Sequence, residues 1–350
     1  MAEPINTGLV SFGKASRVYH GPIITSVPEL KLTKVVERHR EESRKRYPWV
    51  EVVRDTDTLL EDDDISLVVI TTPNDTHYEL AKKCLLAGKH VVVDKPFTTT
   101  SAQARELIDL AAEKNRIINA FQNRRWDGDF QTVRQLVNGD QLGRIVEFES
   151  FYDRFRKHKR PDAWREKPGE GSGVFFDLGP HLIDQILVLF GTPEMVTADI
   201  RLQRDHAETD DYFDVILHYD RLKVRIKGGM LVRTQTPRFL IQGMNGTFVK
   251  YGMDPQEDAL IAGKTPDEPG WGIEPEDRWG TMNTDINGLH VVGQVESIAG
   301  NYIGYYQNIV NAIRGREQLA VTPDQMINTI RIIELAFQSN EKKCTVRFSE

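Results

Sequence analysis

A two-domain α/β chain is what this sequence predicts, with a doubly wound parallel sheet first and an α/β domain carrying an open, mainly antiparallel sheet second. Three observations carry that expectation. The 350 residues exceed what a single hydrophobic core usually holds. Through about residue 120, short β-branched apolar runs alternate with helix-like segments. Beyond residue 123 the runs become apolar–polar alternations separated by turn signals, as in a half-exposed antiparallel sheet.

In the first part the runs are Thr7–Val10, Leu32–Val36, Leu67–Ile70, Val91–Val93 and Ile117–Ala120. They lack polar alternation, so both faces of each are expected to be buried. Between them, Tyr78–Ala87 sets Leu80, Ala81, Cys84 and Leu85 on one helical face, with Gly88 as a stop. Ser101 is a candidate cap for the next helix, which carries Ala104, Leu107, Ile108 and Ala111 at helical spacing. In the second part, Ile145–Phe151, Val196–Leu202, Phe213–Tyr219, Leu222–Lys227, Phe239–Gln242 and Thr247–Tyr251 read as strands. Asp220-Arg221 and Asn245-Gly246 read as hairpin turns. Helices are expected near Tyr302–Arg314 and Asp324–Ser339, while the polar stretch Asp254–Asn287 has no legible role. The expected domains are residues 1–122 and 123–350.

Composition narrows the function classes. A net charge of -7 leaves no basic surplus to neutralise phosphates, which argues against a nucleic-acid partner. The apolar run Ile186–Phe190 is too short to span a bilayer, and the N-terminal residues lack a signal-peptide pattern. A cytoplasmic protein with no membrane partner is expected. Two distant cysteines, Cys84 and Cys344, make neither a disulfide scaffold nor a structural zinc site.

Chemistry is concentrated in three segments. After the first run come Ser11, Phe12, Gly13, Lys14, Ala15 and Ser16. Read as a glycine-rich dinucleotide loop, this keeps only the middle glycine, with Ser11 and Ser16 in the outer places; a plain strand-to-helix turn is the alternative. The second run ends at Val36-Glu37-Arg38, where an acid can bind ribose hydroxyls and an arginine can hold a 2′-phosphate, so NAD and NADP both remain open. Asp94-Lys95-Pro96 follows the Val91–Val93 run, at the edge of the sheet where ligands bind. A lysine there can exchange the proton of an alcohol as hydride leaves its carbon. In Asp177-Leu178-Gly179-Pro180-His181, Pro180 suits the first turn of a helix, and Asp177 and His181 share one side of its start. A carboxylate beside an imidazole can orient hydroxyl groups; one His and one Asp are too few for a metal.

Together these segments resemble the glucose–fructose oxidoreductase/inositol dehydrogenase (Gfo/Idh/MocA) family over essentially the whole chain. The [ED]KP element is Asp94-Lys95-Pro96 and the DxGxH element is Asp177 to His181. Thr72-Pro73-Asn74-Asp75-Thr76-His77 matches the segment that borders the cofactor, with Thr72, Pro73, Asn74 and His77 as contacts. Asn123-Arg124-Arg125-Trp126-Asp127 and Trp164-Arg165-Glu166-Lys167 resemble the scyllo-inositol dehydrogenase-like branch. The resemblance implies a Rossmann domain and an NAD(P)-dependent dehydrogenase acting on a polyol or sugar. It implies NADP or NAD as cofactor, leaning to NADP, and a homodimer or homotetramer joined through the C-terminal sheet. It further implies that Lys95 transfers the proton with help from His181, that Asp177 holds a substrate hydroxyl, and that Asn123, Trp164 and Arg165 line the nicotinamide end. Rival readings are an NAD-dependent glycoside hydrolase of the same fold and a non-catalytic sensor. The presence of Lys95, Asp177 and His181 argues against the sensor.

Overall fold

The computed structural model describes residues 3–159 and 164–348. The chain forms two compact units, one of residues 1–126, 256–271 and 301–327, the other of 127–255, 272–300 and 328–350. Beyond the division expected at residue 122, two later segments lie in the first unit, and the final division falls inside the helix Pro323–Lys342.

The first unit holds a six-stranded parallel sheet. Its strands are β1 (Ile5–Val10), β2 (Leu30–Val36), β3 (Glu51–Val53), β4 (Leu67–Ile70), β5 (His90–Val93) and β6 (Ile118–Ala120). Their order, β3-β2-β1-β4-β5-β6, is the Rossmann arrangement, with the reversal of strand order between β1 and β4. All four residues of β4 are buried, as are Val91, Val92 and Val93, so the undiluted apolar runs have both faces covered. β3 is missed by a reading of apolar runs because it is three residues long with Glu51 exposed. The helix Ser101–Glu113 is capped by Thr100, whose hydroxyl accepts from the Gln103 N–H, and not by Ser101 as expected.

The returning segments are part of this unit's core. Leu260, Tyr302, Tyr305, Tyr306, Ile309 and Val310 are buried with the sheet residues. Polar ties reinforce them: Asn119 Nδ2 donates to the Val321 carbonyl (2.8 Å), Arg125 donates to the Ala320 carbonyl (2.5 Å), and Arg124 pairs with Glu257.

The second unit is built on nine strands. They are β7 (Ile145–Phe151), β8 (Met195–Arg201), β9 (Tyr212–His218), β10 (Lys223–Gly229), β11 (Phe239–Gly243), β12 (Gly246–Lys250), β13 (Gly280–Ile286), β14 (Leu289–Val295) and β15 (Val346–Arg347). The order is β14-β13-β12-β11-β7-β10-β9-β8-β15; only β7 and β10 pair in parallel. Alternation predicts the buried face: Val215 and Leu217 are fully buried while Asp214 and Ile216 are part-exposed. The turn between β9 and β10 closes with Tyr219 N–H donating to Leu222 O at 3.1 Å. The Gly173–Phe190 helix packs its apolar residues into this core. Among the described residues it alone is long and apolar enough to cross a membrane, and 67% of it is buried within the protein.

The polar stretch Asp254–Asn287 divides between the units. Gln256–Ile261 is a helix of the first, while β13 belongs to the second. Within the second unit a buried ion pair holds the stretch. Lys250 Nζ donates to Glu274 Oε1 at 2.8 Å and Ser297 Oγ to Glu274 Oε2 at 2.6 Å, with Lys250 only 1% exposed. Removing one partner leaves an uncompensated buried charge, so Lys250→Ala should cost about 3–5 kcal/mol of stability, and pairing Lys250→Met with Glu274→Leu should recover most of it. Urea unfolding of the three proteins measures this; a single mutant as stable as the wild type would contradict it.

Candidate functional site

The carboxyl edge of the parallel sheet gathers the first group of residues. Val10 is level with Ile70 and Ile70 with Val93, so Ser11, Thr71 and Asp94 leave the sheet side by side next to the strand-order reversal. Ser11 adopts φ 85°, a left-handed conformation open to glycine and costly for serine. Ser16 is buried: its hydroxyl donates to the Ser11 carbonyl (2.8 Å) and touches Thr71 Oγ1 (2.5 Å). The two serines thus keep the tight turn that glycines would give, and Ser16 clamps it to the end of β4. Gly13 and Lys14 are exposed at the turn, Phe12 and Ala15 half-buried. A side chain added at Gly13 would meet nothing closer than Ser11 Oγ at 3.7 Å. The turn is therefore open at Gly13.

The helix that follows runs through a wide π-turn at Ser16–His20 into Gly21–Thr25, with Pro22 inside it. Proline supplies no N–H to the helical ladder, and a widened turn accommodates that break. His20 is turned fully into the core and packs on Phe121, ring centroids 4.0 Å apart. Its Nδ1 lies 2.6 Å from the Tyr306 hydroxyl and its Nε2 3.8 Å from Asp94 Oδ1. Asp94 Oδ1 in turn accepts the backbone N–H of Lys95 at 2.8 Å. Burial works to raise the Asp94 pKa, but the neighbouring His20 ring and the charges of Lys95 and His77 outweigh it and hold the carboxyl below its ordinary value. Lys95 is half-buried and is followed by a cis bond to the buried Pro96.

Two of the expected cofactor contacts, His77 and Glu37, have protein partners for their polar groups. His77 is fully buried, with Nδ1 2.8 Å from the Pro96 carbonyl and Nε2 3.0 Å from the Thr72 carbonyl. It ties the segment after β4 to the lysine turn, while Pro73 and half-buried Thr72 lie nearer the surface than Asn74. Glu37 is 7% exposed, and its carboxylate already accepts hydrogen bonds from the Glu42 N–H, the Ser43 N–H and the Ser43 hydroxyl. Arg38, by contrast, is exposed. Asn123 is buried at the start of the short 3-10 turn Asn123–Trp126 that follows β6.

The second unit gathers the rest. Asp177 and His181 sit one turn apart on the Gly173–Phe190 helix. The expectation that Pro180 begins this helix is corrected, since it is the eighth residue, inside it. Gly179 makes room there: an added Cβ would lie 2.6 Å from the Phe175 ring. Arg165 Nε is 3.3 Å from Asp177 Oδ1, and its guanidinium lies over the Trp164 ring at 4.5 Å. Trp164, Arg165 and Asp177 therefore form one cluster, with His181 buried at 7% exposure on the same helix.

His20, Tyr306, Asp210 and Arg204 have no motif in the sequence. Asp210 caps the helix from a distant segment: its carbonyl accepts the Val174 N–H (2.9 Å) and its Oδ2 the Phe175 N–H (2.7 Å). Gly173, at φ 92°, is required because an added Cβ would strike the Asp210 carboxylate. Arg204 is buried between Asp211 (2.9 Å) and Glu166 (3.2 Å), tying the Trp164–Glu166 turn to the Asp210 segment.

A Rossmann sheet with an exposed turn after β1, together with a mixed sheet and an apolar helix that carries Asp177 and His181, defines a class: dinucleotide-dependent oxidoreductases with a C-terminal α/β domain. Comparison with known proteins supplies the family. Residues 5–121 match the family's NAD-binding Rossmann fold and residues 134–348 its C-terminal alpha/beta domain, so the chain belongs to the Gfo/Idh/MocA oxidoreductase family. It is 38% identical over 344 residues to scyllo-inositol 2-dehydrogenase (NADP(+)) IolW of Bacillus subtilis, covering 98% of this chain and 96% of that one. It is 40% identical to the uncharacterized oxidoreductase YdgJ of Escherichia coli, over 99% of both chains. The solved structure of yvaA from B. subtilis superimposes with a TM-score of 0.96 at 38% identity, over 99% of both chains.

The helix cap gives a pH dependence with a definite sign. Burial, opposed in part by backbone hydrogen bonds from Phe175, raises the Asp210 pKa from 3.8 to about 6. The folded protein then binds more protons than the unfolded chain between these values, so this group's contribution to stability falls as pH rises from about 4 to 6. Asp210→Asn should be more stable than wild type at pH 7 by about 2 kcal/mol, with a flatter profile across that window. Thermal unfolding from pH 4 to 7 tests it; wild-type stability that climbs relative to the mutant over the window would refute it.

Proposed function

We propose that this chain transfers a hydride between a nicotinamide dinucleotide and a secondary alcohol or ketone of a polyol or sugar of the inositol type, using NADP in preference to NAD. The observation that carries the reading is the lysine turn. Lys95 follows β5 at the ligand-binding edge, half-buried, with its N–H fixed on Asp94, on the same edge as the open phosphate turn. The name of the B. subtilis relative, an NADP-dependent scyllo-inositol dehydrogenase, supports the substrate class and the cofactor.

Ser11, Phe12, Gly13, Lys14 and Ala15 would hold the pyrophosphate, Arg38 the 2′-phosphate, and Thr72, Pro73, Asn74 and Pro96 the walls beside them. When bound, the dinucleotide supplies the two-electron acceptor or donor. Lys95 takes the hydroxyl proton during oxidation and returns it during reduction. His181 assists that transfer. Asp177 binds a neighbouring substrate hydroxyl, with Arg165 fixing its carboxylate, and Asn123 and Trp164 shape the nicotinamide end. The chain would work in the cytoplasm, as a homodimer or homotetramer joined through the C-terminal sheet. Apolar Leu289 and Val292, exposed at 70% and 59% on β14, support that assembly. Sedimentation equilibrium showing only monomer would exclude the assembly.

The direct test is a steady-state panel with NADP and NAD against scyllo-inositol, myo-inositol, common aldoses and their oxidised forms, read at the absorbance of the reduced nicotinamide. Turnover with a polyol or sugar is expected. Lys95→Ala should lower kcat by about 10²–10⁴ with little change in cofactor affinity. His181→Ala should lower kcat or raise the polyol KM. Unchanged kinetics in Lys95→Ala, in an assay limited by chemistry, would remove the proton-transfer role.

A further inference from the structure

The end of β2 carries both an acid and an arginine, and their side chains are treated differently. The Glu37 carboxylate is turned inward. Its Oε1 accepts the Ser43 N–H (2.8 Å) and the Ser43 hydroxyl (2.5 Å), and Oε2 accepts the Glu42 N–H (3.0 Å). Ser43 is itself fully buried. From the other side, Arg54 grips the same turn: Nη1 donates to the carbonyls of Glu37 (3.1 Å) and Arg40 (2.9 Å), and Nη2 to Glu41 Oε1 (2.6 Å). The second acid is thereby neutralised as well. Arg38, His39 and Arg40 are exposed and form no salt bridge among the described residues. Of the turn's acids, Glu37 is buried and the exposed Glu41 is ion-paired with Arg44 and Arg54, while Arg38 and Arg40 face solvent as positive groups.

An outward carboxylate at this place would bind ribose hydroxyls and repel a 2′-phosphate. Three donors keep it from doing either, and the Ser43 hydroxyl is the only one of them that a side-chain substitution can remove. We propose that Ser43 is a specificity-determining residue: by holding the Glu37 carboxylate inward, it leaves the turn to a dinucleotide bearing a 2′-phosphate. The inference rests on the NADP reading and assigns its cause to the buried acid as well as to Arg38. Ser43→Ala removes one of the two hydrogen bonds on Oε1 and loosens the inward carboxylate, weakening NADP by repulsion and strengthening NAD through the ribose.

The test is calorimetric titration of the full chain with NADP+ and with NAD+, without substrate. Ser43→Ala should shift the ratio of the two dissociation constants about fivefold towards NAD+, the effect of losing one such hydrogen bond. The same substitution in a Glu37→Gln background should leave the ratio unchanged, because no carboxylate remains to release. A Ser43→Ala ratio equal to wild type, or a shift that persists with Gln at position 37, would overturn the proposal. Arg38→Gln is the separate control: if it leaves NADP+ affinity intact, the NADP reading itself fails, whatever Ser43 does.

Discussion

A carboxylate at the end of a buried strand stays ionised only when its neighbours replace the water it has lost. Asp94 is in that position, and the carboxyl edge of the parallel sheet is organised around it. One oxygen fixes the Lys95 backbone and faces the His20 ring. That ring is held by Tyr306, on a helix from the far end of the chain, and by the face of Phe121 beyond β6. The polarity of the chain is consistent: the phenol can donate to Nδ1, leaving Nε2–H to point at the carboxylate. The wide π-turn in the first helix lets His20 take part, because it interrupts the ladder beside Pro22. The lysine is therefore positioned by β1's helix, β5 and a late helix together, which explains why residues 301–327 belong to this unit.

The second unit solves a related problem. A helix as apolar as Gly173–Phe190 belongs in a core, yet it also carries Asp177, His181, Asp184 and Gln185. Charge and hydrogen-bond partners arrive from other segments. Asp210 satisfies its first N–H groups, Arg165 meets Asp177, and Gln185 accepts from Arg238, which also donates to Ser150 of β7. These partners hold Asp177 and Gln185 in orientation on the helix.

Much of this was legible in the sequence, for identifiable reasons. Strands buried on both faces read as unbroken Val/Ile/Leu runs, so β1, β2, β4, β5 and β6 could be found; β3 and β15 were too short, β13 too polar, and β14 too irregular in its alternation, to announce themselves. Asp94-Lys95-Pro96 and the Asp177–His181 pair stood out because their spacing carries chemistry. What the sequence hid was the direction of side chains. Glu37 and His77 have the right types at the right places, but Ser43 and two carbonyls turn them inward. The partners of Asp94 and Asp177 lie far away in sequence and share no spacing rule. Pro180 was misplaced because proline favours a first helical turn, a preference overridden here by a helix buried in a core.

Hydride transfer from a polyol carbon to a nicotinamide leaves an isotopic trace. Incubating the protein and NADP+ with scyllo-inositol deuterated at its ring carbons, then examining the recovered cofactor by mass spectrometry and NMR, tests it most directly. The account predicts one deuterium at C4 of the reduced nicotinamide for each molecule of ketone formed. Consumption of the polyol, or of any sugar substituted for it, with no deuterium entering the cofactor would contradict it.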